Sequence, residues 1–261
     1  MASLLIQVII PFILSALIVV IITVIAEKYG TKVGGFLGTL PSTIVVVFVF
    51  ISLNTDVHFA SKSVAVVPAE MGINVFFLFF FTILIKRGLL TATGGALGIW
   101  SIISAILYFY NLHDIYISII IYGILLAIAF LVLEKVIKVK SKGSVKVNYT
   151  PIKIAFRGLL AATVVTISVL LSNVGAVLSG IFSVFPAIFL STMLITVSEH
   201  GSEFSGGMAK AMIIGTMSTV SYAVAIHFLY PVYNVIWGTI FAYGISIFFV
   251  VILLRIRSKI K

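Results

Sequence analysis

The sequence predicts an all-α polytopic membrane protein of about nine transmembrane helices, arranged as two inverted four-helix repeats joined by a connecting helix. Three observations carry this. Of 261 residues, 62% are hydrophobic and only 9% charged, whereas soluble domains carry about a quarter charged residues. Apolar runs of roughly 20 residues, the length that crosses the hydrocarbon layer, alternate with short polar turns. A pattern of paired small residues, proline and a polar patch occurs twice. The first apolar run, from Leu4, lacks a basic leader and a small-residue cleavage site, so it reads as a span. The chain has no cysteine, which excludes disulfides and thiolate metal sites.

Taken in order, the expected spans are 4–25, 33–53, 63–85, 89–110, 114–134, 152–172, 174–197, 206–229 and 232–254. The pair Lys86-Arg87 marks one boundary, and the run 134–153 is the longest hydrophilic segment. An odd number of spans puts the termini on opposite sides. On one side fall Lys28, Lys32, Lys86, Arg87, the six lysines of 135–153 and the tail Arg255, Arg257, Lys259 and Lys261; the other side carries Lys62 alone. Basic residues concentrate in cytoplasmic loops, so the N-terminus is expected outside and the C-terminus in the cytoplasm of a multi-pass inner (plasma) membrane protein. The net charge of +10 is thus a topology signal with some attraction for anionic headgroups. No nucleic-acid partner is expected, and no oligomeric state is read from the chain.

The repeat rests on Val33-Gly34-Gly35-Phe36-Leu37 against Val174-Gly175-Ala176-Val177-Leu178. After a four-residue insertion, Pro41 falls on Pro186, and a constant offset of 145 carries Phe59 onto Phe204. The same offset lays Asn54, Thr55, Asp56 and His58 against Glu199, His200, Gly201 and Glu203. Residues 1–112 then form the first repeat, 113–135 the connecting helix, 136–150 a basic cytoplasmic loop and 151–261 the second repeat. Weak internal similarity of this kind marks transporter folds. An odd connector makes the halves inverted, with the two polar patches at opposite faces.

Within residues 170–254, Phe185-Pro186 and Ser198-Glu199-His200-Gly201-Ser202-Glu203 carry a likeness. This part resembles the GlpM family of small four-span membrane proteins, which place a Phe-Pro in the span before a Ser-Glu-x-Gly-x-Glu turn. The first half departs from the pattern, with Leu40-Pro41 and with Asn54, Asp56 and His58 at the turn. The resemblance implies a four-span unit, here doubled, and a link to exopolysaccharide production, but no substrate.

Proline lacks an N–H and clashes with the carbonyl one turn earlier, so Pro41 and Pro186 must interrupt their helices. In hydrocarbon, nearby hydroxyls or neighbouring helices must satisfy the freed carbonyls. Thr39, Ser42 and Thr43 are placed for that in the first half, and Ser183, Ser191 and Thr192 in the second. Two readings stand: a locally repaired kink, or two discontinuous helices lining a central binding site. For one copy alone the repaired kink is the simpler reading; paired interruptions in corresponding positions raise the site to equal standing with it.

Glu70 and Lys210 are costly if they face lipid. They are candidates for the same site or, alternatively, for snorkelling to an interface. Glu199, His200 and Glu203, with Asp56 and His58 as a thinner mirror image, suit a gate or a divalent cation; helix capping is the competing role. No cofactor is otherwise expected. Arg157 is expected as a cytoplasmic-end anchor, Tyr149, Tyr230, Tyr233 and Trp237 as interfacial belt residues, and His113 and His227 as packing or interface residues. No nucleophile elbow, zinc-protease motif or P-loop is present, so no enzyme is expected. The function expected is secondary transport, ion- or proton-coupled, of a small solute or cation between helices 2 and 7. The alternative is a non-transporting accessory protein of an envelope or polysaccharide assembly.

Overall fold

Proline, glycine and short polar turns cut the chain into helices, and a computed structural model describes residues 4–37, 40–137 and 150–259. Thr39 and most of the basic loop 136–150 lie outside the described residues. A π-helical turn, Leu5–Ile9, leads into α1 (Ile10–Leu37), followed by α2 (Ser42–Asn54), α3 (Val57–Val64) and α4 (Val67–Leu84). A 3-10 turn, Ile85–Arg87, precedes α5 (Leu89–Phe109); α6 (Ile115–Leu131) ends in a π-helical turn, Val132–Val136. After the basic loop come α7 (Pro151–Leu171), α8 (Ala176–Ser183) and α9 (Ala187–Lys259). Non-helical backbone at Gly201 (φ 79°) and Asn234 (φ 61°) divides α9 into the stretches 187–200, 202–233 and 235–259.

Among the described residues, six helices are long and apolar enough to cross a membrane, which makes this a helical membrane protein. Two boundaries differ from the expected spans. Residues 57–62, expected between spans 2 and 3, form most of α3. Residues 26–32, read as a turn, continue α1 to Leu37. Ala26, Glu27 and Lys28 are good helix formers, and no proline opposes them.

The centre is the run from Val57 to Arg87, 83% buried where most apolar. Apart from Glu70, Asn74 and Thr82, α4 is apolar around its whole circumference, as a helix surrounded by others must be. It packs against α5, α6 and α9, while α1 lies along α7. The outer helices are the reverse. Only 22% of the most apolar window of α1, α5 or α6 is buried, leaving Ile13, Leu17 and Ile21 on α1 and Ile117, Ile120 and Ile124 on α6 exposed. Surface of this extent in a folded chain is lipid-facing.

Between helices in lipid, close packing rather than hydrophobic burial drives association, so small residues mark the contacts. Gly158 of α7 lies against Ala16 and Val20 of α1. Gly180 of α8 is the tightest case: a Cβ there would run into the Ser63 carbonyl oxygen and within 2.6 Å of Val66 Cγ1.

Two expected interface residues are internal. Tyr230 is fully buried, its hydroxyl 2.8 Å from Thr239 Oγ1, because Pro231 and the turn at Asn234 fold 235–259 back over it. Arg157 is also buried, its Nη1 donating to Thr192 Oγ1 at 2.7 Å. Tyr233 and Trp237 are exposed, as a belt requires; Tyr149 lies outside the described residues.

Candidate functional site at the paired helix breaks

Pro41 initiates α2. Its carbonyl accepts from Val45 N at 3.1 Å, and Leu40 O accepts from Ser42 N at 2.7 Å. Pro186 does the same for 187–200: its carbonyl accepts from Leu190 N at 2.7 Å, and Phe185 O accepts from Ala187 N at 2.7 Å. Both prolines therefore stand just before a helix start rather than inside a kinked helix. The first-turn N–H groups of such helices have no intrahelical partner. Those first turns open onto one pocket, about 400 Å³ counting its mouth, lined by Leu40, Pro41, Thr43 and Ile44 from one break and Val184, Phe185, Pro186, Ile188 and Phe189 from the other. Met71 of α4 and Thr219 of α9 complete the wall.

The pocket lies between the two ends of the bundle. Asn54, at the far end of α2, donates through Nδ2 to Ser172 Oγ at 2.7 Å, beyond the last turn of α7. Gln7 Nε2 donates to Asn54 Oδ1 at 2.6 Å. Glu199, near the far end of 187–200, pairs with Lys153 in the first turn of α7. The polar patches of the sequence thus sit at opposite ends of α7, which at 21 residues is about 31 Å long. Each break is one half-helix, about 20 Å, from its own end.

The predicted site residues divide accordingly. Pro41, Thr43 and Pro186 line the pocket. Ser42 is buried beside it. Ser183 Oγ donates to Gly180 O at 2.6 Å, repairing the end of α8. Ser191 and Thr192 both donate to Ile188 O. Thr39 lies outside the described residues. Glu70 and Lys210 do not meet and do not line the pocket: Lys210 pairs with Glu134 of α6's final turn, and Glu70, fully buried, accepts from Ser104 Oγ at 2.7 Å. Their depths differ because Lys210 stands early in 202–233, at the Lys153 end of the bundle.

The gate candidates are also separated. Gly201, with its positive φ, breaks the helix between Glu199 and Glu203, so the two carboxylates do not share a helical face. His200 Nε2 lies 3.7 Å from Glu199 Oε2. Among the described residues, no three His, Cys, Asp or Glu side chains converge to hold a metal ion, and Glu199 already holds Lys153. Asp56 caps α3, accepting from His58 N and Phe59 N at 2.8 Å each, while the His58 side chain is exposed. His227 joins α3 and α9, with Nδ1 2.8 Å from Ser61 O and its own carbonyl accepting from Ser61 Oγ. His113, in the turn between α5 and α6, is held below the ordinary histidine range by partial burial and then by the Lys62 charge.

Sequence reasoning missed Asn74. Fully buried on α4, it donates through Nδ2 to the Val184 carbonyl at 2.6 Å, satisfying the backbone exposed by the second break. Its signal was a lone amide in an otherwise apolar, Phe-rich stretch, one helical turn after Glu70. Trp100 of α5 was missed as well. Its ring packs edge-on against Phe185, centroids 4.9 Å apart, and against Phe182 at 6.4 Å. No protein-family model, no curated protein and no solved structure matches this chain.

Proposed function

We propose that the chain is a secondary transporter of two inverted four-helix halves, about nine spans in all, whose cargo binds where the two proline breaks face each other. One observation carries the reading: under the single offset of 145, the pocket walls are equivalent. Leu40 pairs with Phe185, Pro41 with Pro186, Thr43 with Ile188 and Ile44 with Phe189, and all eight line the pocket. Thr219, which also lines it, is equivalent to Asn74, which holds the opposite break. Other boundaries follow the offset within a residue. The helix starts at Ser42 and Ala187 coincide, as do the turns at Asp56 and Gly201 and those at Gly88 and Asn234. The end locks correspond too, Gln7 with Asn54 in one half and Lys153 with Glu199 in the other. In proposed span 7, α8 and 187–200 are half-helices meeting at mid-depth; in proposed span 2, α2 is the half-helix after the break and the end of α1 precedes it, and each polar patch closes one end. Halves that are alike but threaded oppositely can exchange conformations, the basis of alternating access.

The described pocket wall is apolar with two threonines and the N-terminal turns of two helices, and bears no carboxylate. This favours a small neutral or anionic solute over a divalent cation as cargo. The likeness of 170–254 to the GlpM family fits as the ancestor of a doubled four-span unit, and orientation with a cytoplasmic C-terminus follows the lysine bias. The test uses the natural absence of cysteine. Thr43→Cys and Ile188→Cys, each alone, should react with a small water-soluble thiol reagent in membrane vesicles, and a solute found by thermal-shift screening should protect both. Inert thiols at both positions would mean a dry core and an accessory rather than a transporting protein.

A further inference from the structure

Three buried polar atoms cluster behind the pocket wall with unspent hydrogen-bonding capacity: among the described residues, Glu70 Oε2, Asn74 Oδ1 and Trp100 Nε1 have no partner in bonding geometry. Such atoms are rare in folded proteins and ask for a physical reason. Glu70 and Asn74 are one turn apart on α4, hence on one face, and Trp100 and Ser104 are one turn apart on α5. The Ser104 bond to Glu70 brings the two faces together, and the Trp100 indole lies beside the Glu70 carboxyl without reaching bonding geometry. Both faces also touch the second break, Asn74 through the Val184 carbonyl and Trp100 through Phe185. Met71, next to Glu70, is part of the pocket wall.

Resting on the transport reading, we propose that Glu70 takes up and releases the coupling proton and that Trp100 passes its charge state to the pocket. Loss of the proton from Oε2 leaves a carboxylate bonded only by Ser104, and burying such a charge unpaired is costly. The nearest unused donor is the Trp100 N–H. Turning toward it draws the indole off Phe185, which stands in the break itself, so the pocket changes shape as the proton leaves. Protonation returns a neutral carboxyl and the ring contact observed.

Other groups around α4 do not compete. On α6, the Tyr122 hydroxyl is engaged with Thr216 at 2.9 Å. On α9, Lys210 is paired with Glu134, His227 with Ser61, and the buried Tyr222 hydroxyl lies beside Tyr230 and Thr239 rather than Glu70. No titratable residue is present on α8, and Lys86 and Arg87 are four turns away along α4. The four side-chain oxygens of Glu70, Asn74 and Ser104 fall short of the about six or more that a hard divalent cation takes, whereas a proton needs one.

The chain has two tryptophans, and Trp237 is exposed on 235–259, outside this buried cluster. In a Trp237→Phe background, Trp100 alone reports. Its emission in purified protein should change in a single one-proton step as pH is varied. Adding Glu70→Gln should abolish the step, and adding Ser104→Ala should move its midpoint. The proposal is overturned if no step occurs, if the step is the same in both variants, or if replacing choline with sodium at fixed pH and ionic strength shifts the emission. Because the measurement needs neither cargo nor vesicle, it stands or falls separately from transport.

Discussion

The two halves of the molecule share several helix starts and turns at one offset and differ in the side chains that close their ends. Helix starts and turns fall at equivalent positions around one pocket, yet the first half closes its end with neutral groups and the second with charges. Asn54 is held by Gln7 and Ser172, and Ser61 clasps His227. At the opposite end Lys153 holds Glu199 and Lys210 holds Glu134. On the proposed doubling, the shared offset keeps the places where the chain breaks, while the side chains that latch each end differ. An end latched by ion pairs responds to salt, and one latched by amides does not.

The largest effect should come where the halves touch most closely. Gly180→Ala drives a Cβ into the Ser63 carbonyl, and forcing apart packed elements costs about 1–3 kcal/mol. Thermal unfolding in detergent should show a loss of several degrees. Gly98→Ala, whose Cβ meets nothing within 4 Å, should be neutral or raise stability by up to about 1 kcal/mol. Equal losses in both would mean that α8 and α3 are not in contact.

Next is the device that holds the second break. Asn74→Leu leaves the buried Val184 carbonyl unsatisfied, at about 1–3 kcal/mol, and should raise amide exchange around 184–189 more than around 40–44. Protection lost equally at both breaks would show that Asn74 does not act locally.

Salt sharpens the comparison of the ends. The Lys153–Glu199 pair is partly exposed, with side chains 29% and 16% accessible, so its worth is about 1 kcal/mol or less and falls with ionic strength. Raising salt should therefore speed amide exchange at 198–205 and leave 54–58 unchanged, and Glu199→Gln should abolish the difference. Salt sensitivity at 54–58 instead would reverse the assignment of charged and neutral latches.

The smallest effect concerns His113. Its folded-state value is depressed, so the folded protein binds the proton less readily than the unfolded chain. Its contribution to stability is present above the ordinary histidine value of 6.5 and is lost as pH falls from there through the lower folded-state value. Lys62→Gln should raise the His113 titration midpoint seen by NMR without reaching the ordinary value, because burial is the larger cause.

Much of this was legible in the residues. Pro41 and Pro186 stop helices for a local reason, the missing N–H, and Asp56 caps α3 by a local bond. Local causes can be read from local sequence. Partner choice cannot. Nothing around Lys210 says that it meets Glu134 rather than Glu70, because that depends on how α6 and α9 cross, and α4 has no polar face from which to infer its neighbours. Tyr230 resembled a belt residue for the same reason: only the fold-back at Asn234 covers it. Glu199 and Glu203 fail to share a face because Gly201 takes a positive φ, an option glycine has but does not always use.

The most direct test of the inverted arrangement is the sidedness of two exposed turns. In the cysteine-free chain, His58→Cys and Ser202→Cys are each labelled in intact cells with a membrane-impermeant maleimide. The account predicts reaction at position 58 without permeabilisation and at 202 only after it; labelling of both from the same side would contradict it.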